Sequence, residues 1–131
     1  MSYNVFVTKA HRAILTVMAS VPKERRGGKY FDESVITADS DGHKYLYPGM
    51  VLAETSDGVN YVPYSLGASY GTYSDTAVGM LNEFTDLSLL PKMVSPVTEG
   101  TFIEAYCYIY GGALGTISAA VKSSLSHLQW K

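Results

Sequence analysis

Between residues 44 and 84 the chain runs in short apolar bursts cut by turn residues: Lys44-Tyr-Leu-Tyr, then Pro48-Gly49, then Met50-Val-Leu-Ala-Glu54, then Ser56-Asp-Gly58, then Asn60-Tyr-Val-Pro-Tyr64. Bursts of this length, rich in β-branched and aromatic residues and bounded by Pro-Gly and Asp-Gly, predict strands joined by tight turns. Pro63 lacks a backbone N–H to donate, so the strand at 60–64 belongs at a sheet edge or ends there. A Gly/Ser/Tyr loop is expected from Ser65 to Asp75, and a strand from Ala77 to Phe84.

The flanks are less regular. Tyr3 to Val7 alternates as a short strand or an extended arm would. Thr8 to Ser20 suits a helical stripe (Ala10, Ile14, Val17, Met18) and also a strand around Leu15-Thr-Val. Tyr30 to Thr37 reads as extended, and Asp39-Ser-Asp-Gly42 as a turn. Leu87 to Lys92 is a connector, Lys92 to Thr98 is weakly extended, and Gly100 marks a turn. Thr101 to Tyr110 carries the clearest strand pattern, apolar or aromatic on both faces, which predicts a central or covered strand. Gly111-Gly112 breaks it. Ile117, Ala120, Val121, Ser124, Leu125 and Leu128 recur at helical spacing, predicting a helix over 116–126 with Thr116 or Ser118 as N-cap. Leu128 to Lys131 closes as a last strand. These elements predict a mainly β, compact antiparallel single domain with one or two short helices.

Composition sharpens this reading. The chain has 131 residues, which suits one domain. Charged residues are 17%, below the usual quarter or so, while tyrosines number 11. Tyr pairs a large apolar body with a polar tip and favours half-buried strands and interfaces. Few charges and many tyrosines therefore suggest a surface partly covered by a partner; an ordinary tyrosine-rich β-protein fits as well. The net charge of −2 gives no basic stripe for nucleic acid. The one basic cluster is Lys23-Glu-Arg-Arg-Gly-Gly-Lys29. It reads as a solvated loop or, through Arg25, Arg26 and Lys29, as a contact to an acidic patch on a partner. No segment approaches the ~20 apolar residues of a membrane helix, and the start lacks the basic region of a signal peptide.

Little in the chain reads as chemistry. Gly67-Ala-Ser-Tyr-Gly71 matches the nucleophile-elbow pattern, but Thr72-Tyr-Ser-Asp75 follows it in place of a helix start, and the chain is short for that hydrolase fold. Asp39, Asp41 and Gly42 resemble part of a calcium loop, yet the twelfth position is Met50 where a Glu is needed. His11, His43 and His127 are far apart, and none stands at ligand spacing from Cys or a carboxylate. Glu83, Asp86, Glu99 and Glu104 form no acid pair. The Gly-rich run 111–115 lacks a phosphate-cradle pattern. The single cysteine, Cys107, allows no internal disulfide and reads as a small core residue. No enzyme, metal or cofactor is expected.

Three of the bursts, Tyr47-Pro-Gly-Met-Val-Leu52, Tyr61-Val-Pro-Tyr64 and Ala77-Val-Gly-Met-Leu81, taken together resemble the head decoration proteins of tailed bacteriophages, the lambda-gpD-like group. The resemblance covers roughly residues 35 to 131. It implies a β-barrel or sandwich-like fold of the β-tulip type, a homotrimer on the outside of the expanded capsid, and stabilisation of that capsid. It implies residues 1–9 as a capsid-binding arm and 10–131 as the decoration domain. The arm would pair Tyr3, Asn4, Val5, Phe6 and Val7 with the major capsid protein. The implied location is the virion, after synthesis in the host cytoplasm. The region 10–37 is longer than in lambda-type members. Another virion or tail β-module, or a small hydrolase, is the alternative.

Overall fold

The computed structural model describes residues 16–64, 73–88 and 90–131. Among the described residues the protein is mainly β, with antiparallel sheets and one α-helix. The strands are β1 (Glu24–Arg25), β2 (Lys29–Tyr30), β3 (Tyr45–Leu46), β4 (Val51–Thr55), β5 (Tyr61–Pro63), β6 (Tyr73–Met80), β7 (Thr85–Asp86), β8 (Met93–Val94), β9 (Val97–Phe102) and β10 (Leu128–Trp130). The helix α1 spans Ala119–Ser124.

The most apolar burst becomes the middle of the main sheet. Its order is β1-β9-β6-β4-β5, and β10 joins β9 in parallel. β5 lies at the end of this path, where the missing N–H of Pro63 breaks no ladder. A strand covered on both sides needs apolar residues at every position, and β4 meets that need. Val51 and Ala53 face one core with Val62, Phe102, Val121 and Leu125. Met50 and Leu52 face a second core with Phe31, Leu46, Tyr61 and Leu87. Helix α1 contributes to the first core. The two-stranded ribbons β2·β8 and β3·β7 contribute to the second through Val94 and Leu46.

The turns sit where glycine and Asx chemistry placed them. Gly42, Gly49 and Gly58 all have positive φ. Asp39 Oδ1 accepts from the amides of Asp41 and His43 at 2.9 and 3.0 Å. In the β4–β5 hairpin, Gly58 N donates to Thr55 O at 2.8 Å. Ser118, one of the two expected caps, accepts from Val121 N at the start of α1.

Several expectations are corrected. The strand predicted over Thr101–Tyr110 stops at Phe102, and a 3-10 turn follows over Glu104–Tyr106. A continued strand would carry Glu104 onto the buried face of Phe102. In the turn Glu104 meets Lys122 Nζ at 2.8 Å, while Cys107 and Tyr108 still reach the core. Gly100, expected at a turn, lies inside β9. The strand expected from Ala77 to Phe84 begins at Tyr73, within the span expected to be loop, and ends at Met80. Phe84 instead leads into β7, which pairs with β3. Tyr30 to Thr37 is not continuously extended: Asp32 caps a 3-10 turn over Glu33–Val35. The helix is shorter than 116–126, and Lys23 to Lys29 is no simple loop, because it supplies β1 and the start of β2.

Candidate interaction surfaces

Tyr3, Asn4, Val5, Phe6 and Val7 lie outside the described residues, as do Gly67, Ser69 and Gly71. The described chain enters along the edge of β9. Met18 bridges Phe102, Ile103 N donates to Val17 O at 2.7 Å, and Ala19 N donates to Thr101 O at 2.9 Å.

The basic segment is drawn onto the protein by its own partners. Glu54 on β4 gathers two cations, Arg26 Nη2 at 3.0 Å and Lys29 Nζ at 2.8 Å. Lys29 Nζ also donates to Gly58 O at 2.6 Å and lies 5.4 Å from the centroid of the Tyr61 ring. The Tyr61 hydroxyl donates to Gly27 O at 2.6 Å. Arg25 donates to Ser95 O at 2.9 Å and reaches Glu83 at 3.9 Å. The hydrogen bond from Lys29, with the Arg26 charge behind it, holds the Glu54 carboxyl below the usual glutamate value against the opposing effect of burial. Arg26 and Lys29 thus clamp 23–30 to the β4–β5 hairpin. The guanidinium groups carry five donors each.

A second surface lies on the outer face of the β3·β7 ribbon. Tyr45 pairs with Asp86 and Leu46 with Thr85. Leu46 and Leu87 turn inward and are buried. By the two-residue period, His43, Tyr45 and Tyr47 form one row, and Phe84 and Asp86 form the row beside it; Tyr47 also packs against the second core. The rings touch. His43 stacks on Tyr45 with centroids 4.9 Å apart and 12° between planes. Phe84 lies 5.1 Å from Tyr45 and 5.8 Å from Tyr47. Phe84 and His43 are exposed, and the two tyrosines are half-buried. The row His43-x-Tyr45-x-Tyr47 is visible as period-two spacing in the sequence. Phe84 is not, because it joins only through strand pairing 38 or so residues away in the chain.

The turn at the end of this ladder corrects one expectation. His43 does stand near carboxylates: one ligand-capable atom from each of Asp39, Asp41 and His43 falls within a 4.8 Å cluster. The hydrogen bonds of Asp39 Oδ1 to the turn amides account for this closeness. The Asp86 carboxyl is held below the ordinary aspartate value, first by the Ser88 amide at 2.8 Å and then by the Ser88 side chain, with smaller contributions from His43 and Lys92. Cys107 is buried, its thiol pushed up to about 12 by burial and then by the charge of Glu104. A thiol so placed stays protonated at neutral pH and is a poor nucleophile.

Among the described residues no helix is long and apolar enough to cross a membrane. In comparisons with known proteins, no family model, no curated protein and no solved structure matches this chain. Fold and surfaces define a mainly β protein with a clamped basic segment and a ring-bearing outer face.

Proposed function

We propose that the protein is a structural virion component that binds the outer surface of the expanded bacteriophage capsid as a homotrimer and stabilises it. The observation that carries this reading is where the resembling bursts lie. Met50 to Leu52, Tyr61 to Tyr64 and Ala77 to Leu81 come together on or beside three neighbouring strands, β4, β5 and β6. The first two form a hairpin and the third pairs beside it, and together they build the middle of one sheet and reach both cores. The finer form of the fold in this reading is a closed, β-tulip-type barrel or sandwich.

The partners are the major capsid protein and further copies of the chain, with no nucleic acid or membrane contact. Residues 1–9 act as the arm, with Tyr3, Asn4, Val5, Phe6 and Val7 adding a strand to an exposed edge of the capsid protein. Arg25, Arg26 and Lys29 serve as an auxiliary contact. A trimer engages several capsid subunits at once, so modest contacts combine. Binding only the expanded shell stabilises that shell by mass action. The role calls for no catalysis.

The test is binding of purified protein to expanded, undecorated capsids, alongside a version lacking Ser2 to Thr8. Saturable binding that the truncation weakens at least tenfold is the expected result. No binding of the intact protein to its cognate capsid would overturn the proposal. A stable trimer with no capsid affinity would favour another virion or tail β-module.

A further inference from the structure

We propose that the fork between β8 and the chain leaving β6 is a slot that accepts one extended, uncharged segment of a partner protein as an added β-strand. This inference does not rest on the capsid reading, and its test needs neither a capsid nor the arm.

The fork arises where two neighbouring strands stop pairing. β6 meets β9 at Met80 and Val97. Continued antiparallel, that register would set Asn82 against Ser95 and Phe84 against Met93. The chain is drawn away instead. Leu81 N donates to Met50 O at 2.9 Å, Leu81 O accepts from Gly49 N at 2.7 Å, and Thr85 pairs with Leu46. A cavity of about 290 Å³ opens between the separated chains, lined by Leu81, Asn82 and Thr85 from the departing chain and by Met93, Val94 and Ser95 from β8 and its continuation.

The β8 wall of this cavity is an open strand edge. Lys92 O accepts from Phe31 N at 2.9 Å and Pro96 O from Arg26 N at 2.8 Å, so these positions turn their carbonyls toward the segment 23–31. Met93 and Ser95 alternate with them and turn their backbone groups the other way, the side on which Val97 reaches Met80. The Ser95 carbonyl accepts from Arg25 Nη1 at 2.9 Å. Among the described residues, the amides of Met93 and Ser95 and the Met93 carbonyl have no hydrogen-bonding partner. An edge left open in this way takes an added strand, whose backbone supplies the missing donors and acceptors.

The lining selects the side chains of that strand. Leu81 and Val94, both part of the second core, give the cavity an apolar floor that an apolar side chain covers. The charged side chains that line it, Arg25 and Glu83, lie 3.9 Å apart and offset each other. A charged segment therefore meets no net complement. Pairing with the Met93 carbonyl needs a backbone N–H, which proline lacks. The occupant is an extended, proline-free, uncharged segment with apolar side chains at alternate positions.

The experiment titrates the isotope-labelled full chain with acetyl-Thr-Val-Thr-Val-Thr-amide, followed by amide chemical shifts. The controls are the same peptide with its backbone amides N-methylated and counterparts with Glu or Lys in place of Val. The parent peptide is expected to give saturable shifts confined to residues 81–85 and 93–95, and to slow hydrogen exchange at the Met93 and Ser95 amides. N-methylation, which removes the donors and keeps the side chains, should weaken binding about tenfold or more. The Glu and Lys counterparts should both bind more weakly than the parent. Met93→Pro removes a donor on the cavity side and no bond to β2, and should weaken the parent peptide about fivefold. The N-methylated peptide keeps the result interpretable even if that variant does not fold. No saturable shift up to about 5 mM peptide, equal response to the N-methylated peptide, or shifts located elsewhere would each overturn the proposal. Shifts of the same amides that grow with the concentration of the protein alone would make a second copy the occupant and overturn the choice of partner.

Discussion

Gly49 shows how one residue ties the turn chemistry to the core. It adopts φ of +94°, and a Cβ there would come within 2.6 Å of Tyr106 O and 3.2 Å of Cys107 Cα. The same residue donates its N–H to Leu81 O at 2.7 Å and accepts from Tyr108 N at 2.9 Å. Gly42 also has a positive φ, +82°, but a Cβ there would meet nothing within 4 Å. The pair separates conformation from crowding. Gly42→Ala should cost about 1–2 kcal/mol for the left-handed backbone alone, and Gly49→Ala a further ~1–3 kcal/mol, because the atoms in its way are backbone. Urea unfolding of both variants checks this, and equal losses would refute the crowding argument. The need for glycine at both positions is legible in Pro-Gly and Asp-Gly; the approach of Tyr106 is not, since it comes from a segment whose sequence pattern predicts a strand.

At the level of elements, short pieces hold only because neighbours complete them. The helix α1 has six residues, too few to persist alone, and is fixed by Val121 and Leu125 in the core and by the Ser118 cap. The ribbon β2·β8 has two residues per strand, and the Glu54 clamp ties its leading segment down. The pH dependence of that clamp has a definite sign. The folded Glu54 value is lowered from its ordinary 4.5, so its contribution is present above 4.5 and is lost as pH falls through the lowered value. Glu54→Gln should therefore reduce stability at neutral pH by a few tenths to ~1 kcal/mol. The two proteins should converge in acid, as thermal unfolding across the pH range would reveal. A gap that stays constant with pH would show that the clamp acts by shape and not by charge. The basic run was visible in the sequence, but its acceptor was not: Glu54 lies on another strand, and nothing near it in sequence marks it as a partner.

On the scale of the whole molecule, β9 is the meeting line. The entering chain (17–25) runs antiparallel to it, β6 meets it at Val97, and β10 closes the sheet by parallel pairing of Leu128, Gln129 and Trp130 with Gly100, Thr101 and Phe102. Both early and late parts of the described chain thus depend on one strand, which predicts cooperative unfolding. The single tryptophan, Trp130, sits on β10 with its ring 6.2 Å from Phe102 and reports that seam. Its fluorescence and the far-UV circular dichroism should trace the same urea transition; an earlier fluorescence change would mean that the terminal strand peels away as a separate unit. The sequence by itself determined the β class, the Pro48-Gly49 and Asp57-Gly58 turns and the closing strand, and narrowed the helix cap to Thr116 or Ser118 and β5 to a sheet edge or strand end, because each follows from local backbone sterics, hydrogen bonding or period. Only the tertiary structure decided the end of β9 at Phe102, the partners of Arg25, Arg26 and Lys29, and the joining of Phe84 to the tyrosine row. Those depend on which distant segment offers a buried face, a carboxylate or a paired strand, and local pattern carries no record of such long-range choices.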